Sequence, residues 1–243
     1  MNLLIDSGNT LTKIAVFDNN KLINLSHFNL LEIKDIIKLK NKSPELDYCI
    51  LSTVATIKKA VLKYLKNNFN IFINLNYKTK IPVANQYNTK TTLGSDRIAL
   101  ITGANNIYPD TNVLVIDVGS AITYDFINYK NQYLGGNISP GLSMRFKALN
   151  KFTKKLPLLS KDENYFLISD NTKDAIISGV QNGIIFEMQG YISKYKKQFK
   201  NIKIILSGGD ASFFENKLKN TIFAEPNLIF YGLNRILEYN ANN

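Results

Sequence analysis

One cysteine and one histidine occur in 243 residues. A lone thiol forms no internal disulfide. Cys49, in the apolar stretch Tyr48-Cys49-Ile50-Leu51, reads as a buried thiol of a reducing, cytoplasmic compartment. A single Cys and a single His cannot supply a structural zinc site. His27 lies in a strand-like segment without neighbouring ligand residues, and no nucleophile-elbow motif supports a serine triad around it. The absence of a Gly-x-x-x-x-Gly-Lys-Ser/Thr loop argues against a P-loop kinase. No apolar run approaches the roughly 20 residues that cross a bilayer, so no membrane partner is expected. Met1-Asn2-Leu3-Leu4-Ile5-Asp6 meets a carboxylate too early for a secretory leader, which also leads us to expect a cytoplasmic protein.

Positive charge is plentiful: 30 Lys and Arg against 19 Asp and Glu leave a net charge of +11. The lysines are scattered among asparagines and isoleucines, with no basic run interleaved with aromatics. They read as solvated faces, and no nucleic-acid partner is expected. Such a surface would still attract an anionic ligand. Hydrophobic residues make up 45% of the chain, enough for a sizeable core. The length suits a fold of two similar halves.

Two stretches resemble each other. Leu3-Leu4-Ile5-Asp6-Ser7-Gly8-Asn9-Thr10-Leu11-Thr12-Lys13 and Val113-Leu114-Val115-Ile116-Asp117-Val118-Gly119-Ser120-Ala121-Ile122-Thr123 are each an apolar strand ending at Asp-x-Gly and followed by a second strand. Asp6, Gly8 and Thr12 recur at one offset as Asp117, Gly119 and Thr123, which suggests an internal duplication. Periodicity predicts strands at 3–6, 12–17, 22–28 and 48–52, with helices at 31–39 and 57–67. In the second half it predicts strands at 113–117, 122–129, 133–138 and 202–206, helices at 141–149 and 172–199, and a short helix after Asp210, with 228–239 closing the chain. The expected fold class is α/β, with mixed sheets flanked by helices. The expected division is into residues 1–108 and 109–243, where Asn, Tyr and Pro gather.

Four motifs carry candidate chemistry. In Asp6-x-Gly8-Asn9-Thr10-x-x-Lys13, turn amides can meet phosphate oxygens, Asp6 can hold a hydrated Mg²⁺, and Lys13 can add a point charge. One such hairpin would as readily be a plain polar turn; the second copy at Asp117 favours a phosphate clamp. Gly94-Ser95-Asp96-Arg97 stands before the apolar run Ile98–Ile101. Asp96 could accept a hydroxyl proton and Arg97 grip an anion, or Ser95 or Asp96 could be a helix N-cap. Gly135–Gly141 and Ser207-Gly208-Gly209-Asp210 place glycines at strand-to-helix junctions, open to close approach by a ligand or by another backbone.

The ordered set, with Thr172 before Ala175 and Gly179, resembles the type III pantothenate kinases of the acetate and sugar kinase, heat-shock chaperone and actin superfamily. The resemblance runs nearly end to end. It implies two ribonuclease-H-like domains, a homodimer, and transfer of the ATP γ-phosphate to the primary hydroxyl of pantothenate, the first step toward coenzyme A. Carried onto matching positions, it makes Asp6, Ser7, Gly8, Asn9, Thr10, Leu11, Thr12, Lys13 and Ser120 ATP-binding residues, and Asp96 the proton acceptor. It makes Tyr87, Gly94, Ser95, Asp96, Arg97 and Thr172 contacts for pantothenate. Asp117 would ligate a monovalent cation, K⁺ or NH₄⁺, and Asp6 would hold Mg²⁺ through the phosphates. The family usually has Thr where this chain has Ser120, which keeps the hydroxyl, and often has a proline within the stretch Asn88–Leu93. Two other readings are a non-catalytic regulatory relative, which retention of Asp6, Asp96 and Asp117 disfavours, and a kinase of a sugar or another alcohol.

Overall fold

The computed structural model describes residues 1–218 and 222–241. The chain packs as two compact units: Met1–Asp110, Lys130–Leu134 and the segment from Asn227 onward form the first, and Thr111–Tyr129 with Gly135–Pro226 the second.

In the first unit, β1 (Asn2–Ser7), β2 (Thr12–Asp18) and β3 (Lys21–Phe28) form a meander, followed by α1 (Ile33–Lys42), β4 (Tyr48–Thr53), α2 (Lys59–Asn68) and β5 (Ile71–Asn74). The sheet order is β3-β2-β1-β4-β5, with β2 antiparallel to β1 and β3, and β4 and β5 parallel to β1 and to each other. β1 is buried almost throughout because helices cover both faces, so it reads as a continuous apolar run and not as an alternating strand. Leu3, Ile5, Ile14, Val16 and Leu51 point to one core with Ile36 of α1 and Val61 and Leu65 of α2. The alternate residues, including Leu4 and Asp6, point to the opposite face. There β4 meets α3 (Ser95–Ile107), and β1 and β4 meet the C-terminal helix, α7 (Leu228–Ala241).

The second unit carries β7 (Val113–Val118), β8 (Ala121–Ile127), β9 (Gln132–Pro140), α4 (Leu142–Phe152), α5 (Thr172–Gln198), β10 (Lys203–Ser207), α6 (Ala211–Glu215) and β11 (Phe223–Ala224). Its sheet runs β11-β10-β7-β8-β9, and the first residues of β9 pair with β6 (Ala84–Asn85) within the first unit. Counted in chain order within each half, both sheets have the strand order 3-2-1-4-5, with the second strand antiparallel to the first. This is the ribonuclease-H-like arrangement, present twice. Leu114, Ile116, Ile122 and Tyr124 build the core with Phe146, Ile184, Met188 and Phe214.

Three expectations change. α7 belongs to the first unit, whereas a split after residue 108 would group it with the second half. A Cβ on Gly232 would stand 1.8 Å from the Ala99 carbonyl oxygen, so α7 and α3 touch backbone to backbone and α7 follows its partner helix. The strand expected at 133–138 runs on as β9 to Pro140, so of the Gly135–Gly141 run only Gly141 lies at the strand-to-helix junction. The two hairpins also differ in length. Ser7 faces Thr12 across four turn residues, whereas Val118 faces Ile122 across three. Lys13 is therefore opposite Asp6, but Thr123, the expected counterpart of Thr12, is opposite Asp117.

Candidate active site

In the first unit the parallel and antiparallel registers align three polar residues across adjacent strands: Ser52 of β4, Asp6 of β1 and Lys13 of β2. In-register neighbours share a face of the sheet, so all three side chains point toward the α3 side. Burial pushes the Asp6 carboxyl up to about 7; Lys13 opposes the rise and Asp96 adds to it. The reach of Asp96 to Asp6 follows from its place in the first turn of α3.

Neither Ser95 nor Asp96 is an N-cap. Gly94 occupies that position with no side-chain cap bond, and Ser95 and Asp96 are the first two helical residues. Asp96 Oδ1 accepts the Arg97 amide at 2.8 Å. Ser95 turns inward: its Oγ lies 2.9 Å from Ser52 Oγ, accepts the Thr53 amide at 3.1 Å and lies 3.2 Å from the Thr53 carbonyl. Arg97 is only 5% exposed. Its guanidinium lies over the Tyr87 ring at 5.5 Å, and Tyr87 stacks in turn on Tyr133 at 6.0 Å with planes 5° apart. The Asn85 side chain accepts the Tyr87 amide at 2.9 Å.

The hairpin residues divide by exposure. Ser7 and Thr12 are buried and hydrogen-bonded to each other at 3.1 Å, which closes the hairpin. Asn9 and Thr10 are exposed at the turn, which the Gly8 amide tightens by donating to the Leu11 carbonyl at 3.1 Å. The offered surface is thus the Gly8–Leu11 turn, with Asp6 and Lys13 beneath it.

The second unit repeats the row: Ser207 of β10, Asp117 of β7 and Thr123 of β8 are in register. Thr123 Oγ1 is the one buried side-chain polar atom among the described residues without a hydrogen-bond partner. Ser120 is exposed at the hairpin tip. Gly141 and Gly208 serve backbone contact. A Cβ on Gly141 would lie 2.3 Å from the Gly119 carbonyl oxygen, and one on Gly208, at φ +97°, within 2.6 Å of the Val118 backbone. These contacts bring the start of α4 and the Ser207–Asp210 turn onto the Asp117 end of β7. A cavity of about 480 Å³ opens there, lined by Leu142, Phe146, Lys147, Lys161 and Asp210 among others. Lys161 and Asp210 pair at 2.7 Å. Thr172 is exposed at the first position of α5, beside the N-cap Asn171, whose side chain accepts the Asp174 amide at 3.0 Å.

The sequence points to no role for Ser52 or Tyr133, and marks Thr123 only as the counterpart of Thr12 in the repeat. Ser52 and Tyr133 acquire their places through strand register and ring stacking, which spacing does not encode.

A profile of the type III pantothenate kinases matches residues 2–194. The chain belongs to this family. Relatives named type III pantothenate kinase include one from Christiangramia forsetii, 44% identical over 241 residues, and one from Phocaeicola vulgatus, 43% identical over the same length. Each match covers 99% of both chains. Among solved structures, a Campylobacter jejuni protein assigned to the Baf family of transcriptional activators is 27% identical and superposes with a TM-score of 0.65, covering 99% of this chain and 100% of that one. A glucokinase from an Antarctic psychrotroph, 11% identical, covers 98% of each chain at a TM-score of 0.51. That likeness is one of fold, the duplicated actin-like architecture.

Proposed function

We propose that this chain transfers the γ-phosphoryl group of ATP to the primary hydroxyl of pantothenate, with Asp96 as the proton acceptor. The observation that carries this reading is the meeting of Asp96 at the start of α3 with Asp6 and Lys13 at the β1–β2 hairpin. Phosphoryl transfer needs little covalent help from the protein; it needs positioned charge. Lys13 and the Gly8–Leu11 turn amides suit the phosphates, and Ser120 supplies a hydroxyl for the nucleotide. Asp96 withdraws the substrate proton, and Arg97, braced by Tyr87, grips the pantothenate carboxylate. The Ser95 hydroxyl is committed to β4, so any contact from Ser95 to substrate is through its backbone. Gly94 completes the substrate side of this unit, and Thr172 is a further proposed contact for pantothenate.

No group of three or more His, Cys, Asp or Glu gathers into a metal cage among the described residues. A nucleotide-borne Mg²⁺ fits this, since that ion keeps several waters and takes one or two carboxylates with the phosphates. Asp6 would be the carboxylate that receives it. A monovalent cation fits the second row: Asp117 offers charge and the partnerless Thr123 hydroxyl a hard oxygen. When bound, the cation would neutralise phosphate charge.

A homodimer is the assembly this surface favours. Phe166, Leu167 and Ile168 are exposed in succession, Ile168 by 88%, just ahead of Thr172. A second copy covering this run would remove apolar surface from water. The reading also places the enzyme in the cytoplasm, where its nucleotide is found, and no described helix is long and apolar enough to cross a membrane.

A coupled assay over a panel of alcohols, with and without K⁺, tests the function. Turnover with pantothenate, dependent on K⁺ or NH₄⁺, is expected. Turnover with a sugar instead would reassign the substrate, and none with any alcohol would point to a non-catalytic relative.

A further inference from the structure

Ser52 ends the polar row of the first unit, and nothing in the chemistry above uses it. It has no exposed surface, in a place where an aliphatic side chain would add to the core. A hydroxyl has one proton and two lone pairs. All the contacts around Ser95 are satisfied together when Ser52 and the Thr53 amide donate to Ser95 Oγ, and Ser95 donates to the Thr53 carbonyl. Ser95 is then saturated, and both of its anchors belong to the last two residues of β4. Gly94 gives no side-chain cap, and this hydroxyl ties the first turn of α3 to the sheet. The same strand end is in register with Asp6. One piece of backbone thus sets both carboxylates.

We propose that Ser52 is a positioning residue for phosphoryl transfer: through Ser95 it holds the Asp96 carboxylate in place relative to Asp6. The proposal rests on the kinase reading above. A displaced base costs turnover more than binding, because alignment is realised in the transition state. Ser95 without Ser52 keeps its bonds to Thr53 but loses one of the two donors that hold its Oγ.

The test uses Ser52→Ala, Ser52→Thr, Ser95→Ala and the Ser52→Ala/Ser95→Ala double variant in the full chain, with thermal unfolding run on each. Ser52→Ala should lower kcat about tenfold with both KM values within about twofold of wild type. Ser52→Thr, which keeps the hydroxyl, should recover most of that loss. The double variant should be no worse than Ser95→Ala alone, because the two act as one unit. Wild-type kcat in Ser52→Ala, losses that simply add, or a rise in KM at unchanged kcat would each overturn the proposal. Amide exchange at Asp96, Arg97 and Ile98 gives a second readout independent of activity: it should quicken about tenfold in Ser52→Ala, while the α7 amides stay unchanged. Unchanged exchange at those three amides refutes the positioning role. If the wild type fails to turn over pantothenate, the kinase reading falls, and the exchange data alone decide whether Ser52 fixes α3.

Discussion

Lys13 stands directly opposite Asp6 in the β1–β2 register, whereas the residue opposite Asp117 in the second hairpin is Thr123. One residue of difference in turn length thus puts a cation beside one carboxylate and a hydroxyl beside the other. The first row can meet phosphate directly. The second has negative charge and oxygen, and is suited to a cation.

Asp96 is the group whose loss should cost most. Asp96→Asn keeps the shape and removes the base, and should lower kcat by about 10² to 10⁴ with substrate binding largely kept. Steady-state kinetics with isothermal titration of pantothenate measure both. Near-normal turnover would reject the assignment.

The raised Asp6 sets a pH dependence of stability. Its value in the folded state is about 7, above the ordinary 3.8, so between roughly pH 4 and 7 the folded chain binds more proton than the unfolded one. Without nucleotide, this group's contribution should therefore decline as pH rises through that window and be lost above it. Asp6→Asn should raise the melting temperature at pH 8 while changing it little at pH 4, and should weaken Mg·ATP binding. Calorimetry at the two pH values distinguishes this from an Asp6 of ordinary acidity, which would leave the pH 8 value unchanged.

Thr123→Val exchanges a buried, partnerless hydroxyl for a methyl of similar size. Stability should hold or rise slightly, since an unsatisfied buried polar group costs about 1–3 kcal/mol. The K⁺ concentration needed for half-maximal activity should rise about tenfold, by loss of a ligand oxygen. An unaltered K⁺ titration would remove Thr123 from the cation site.

Gly232→Ala should destabilise the first unit by about 1–3 kcal/mol or more, because the added methyl meets the α3 backbone and not a yielding side chain. Urea unfolding reads the loss. A fall in kcat should accompany it, since α3 carries Asp96.

In the homodimer proposed above, Ile168→Asp should leave only monomers in sedimentation equilibrium and keep the melting temperature of each chain within a few degrees. A dimer that persists unchanged would place the interface elsewhere.

Much of this protein was legible along the chain. The two Asp-x-Gly hairpins, the succession of strands along the chain and the long α5 follow from apolar runs, alternation and glycine punctuation, which are local signals. The place of Gly94–Arg97 at a helix start was equally readable, from the apolar run behind it. Tertiary structure decided the rest. Whether Ser95 faces substrate or sheet depends on Ser52, 43 residues away in the chain, and its hydroxyl went to β4. Whether Gly136, Gly141 and Gly208 receive a ligand or a backbone depends on what packs against them, and it is backbone. α7 joined the first unit because Gly103 and Gly232 let two helices meet closely. Sequence alone determined the repeated fold and the carboxylates, because a strand's pattern and a turn's glycine act within a few residues. Register, hydroxyl pairing and helix contact join residues far apart in the chain, so the fold had to form before the partners of Asp6, Ser95 and Asp117 were defined.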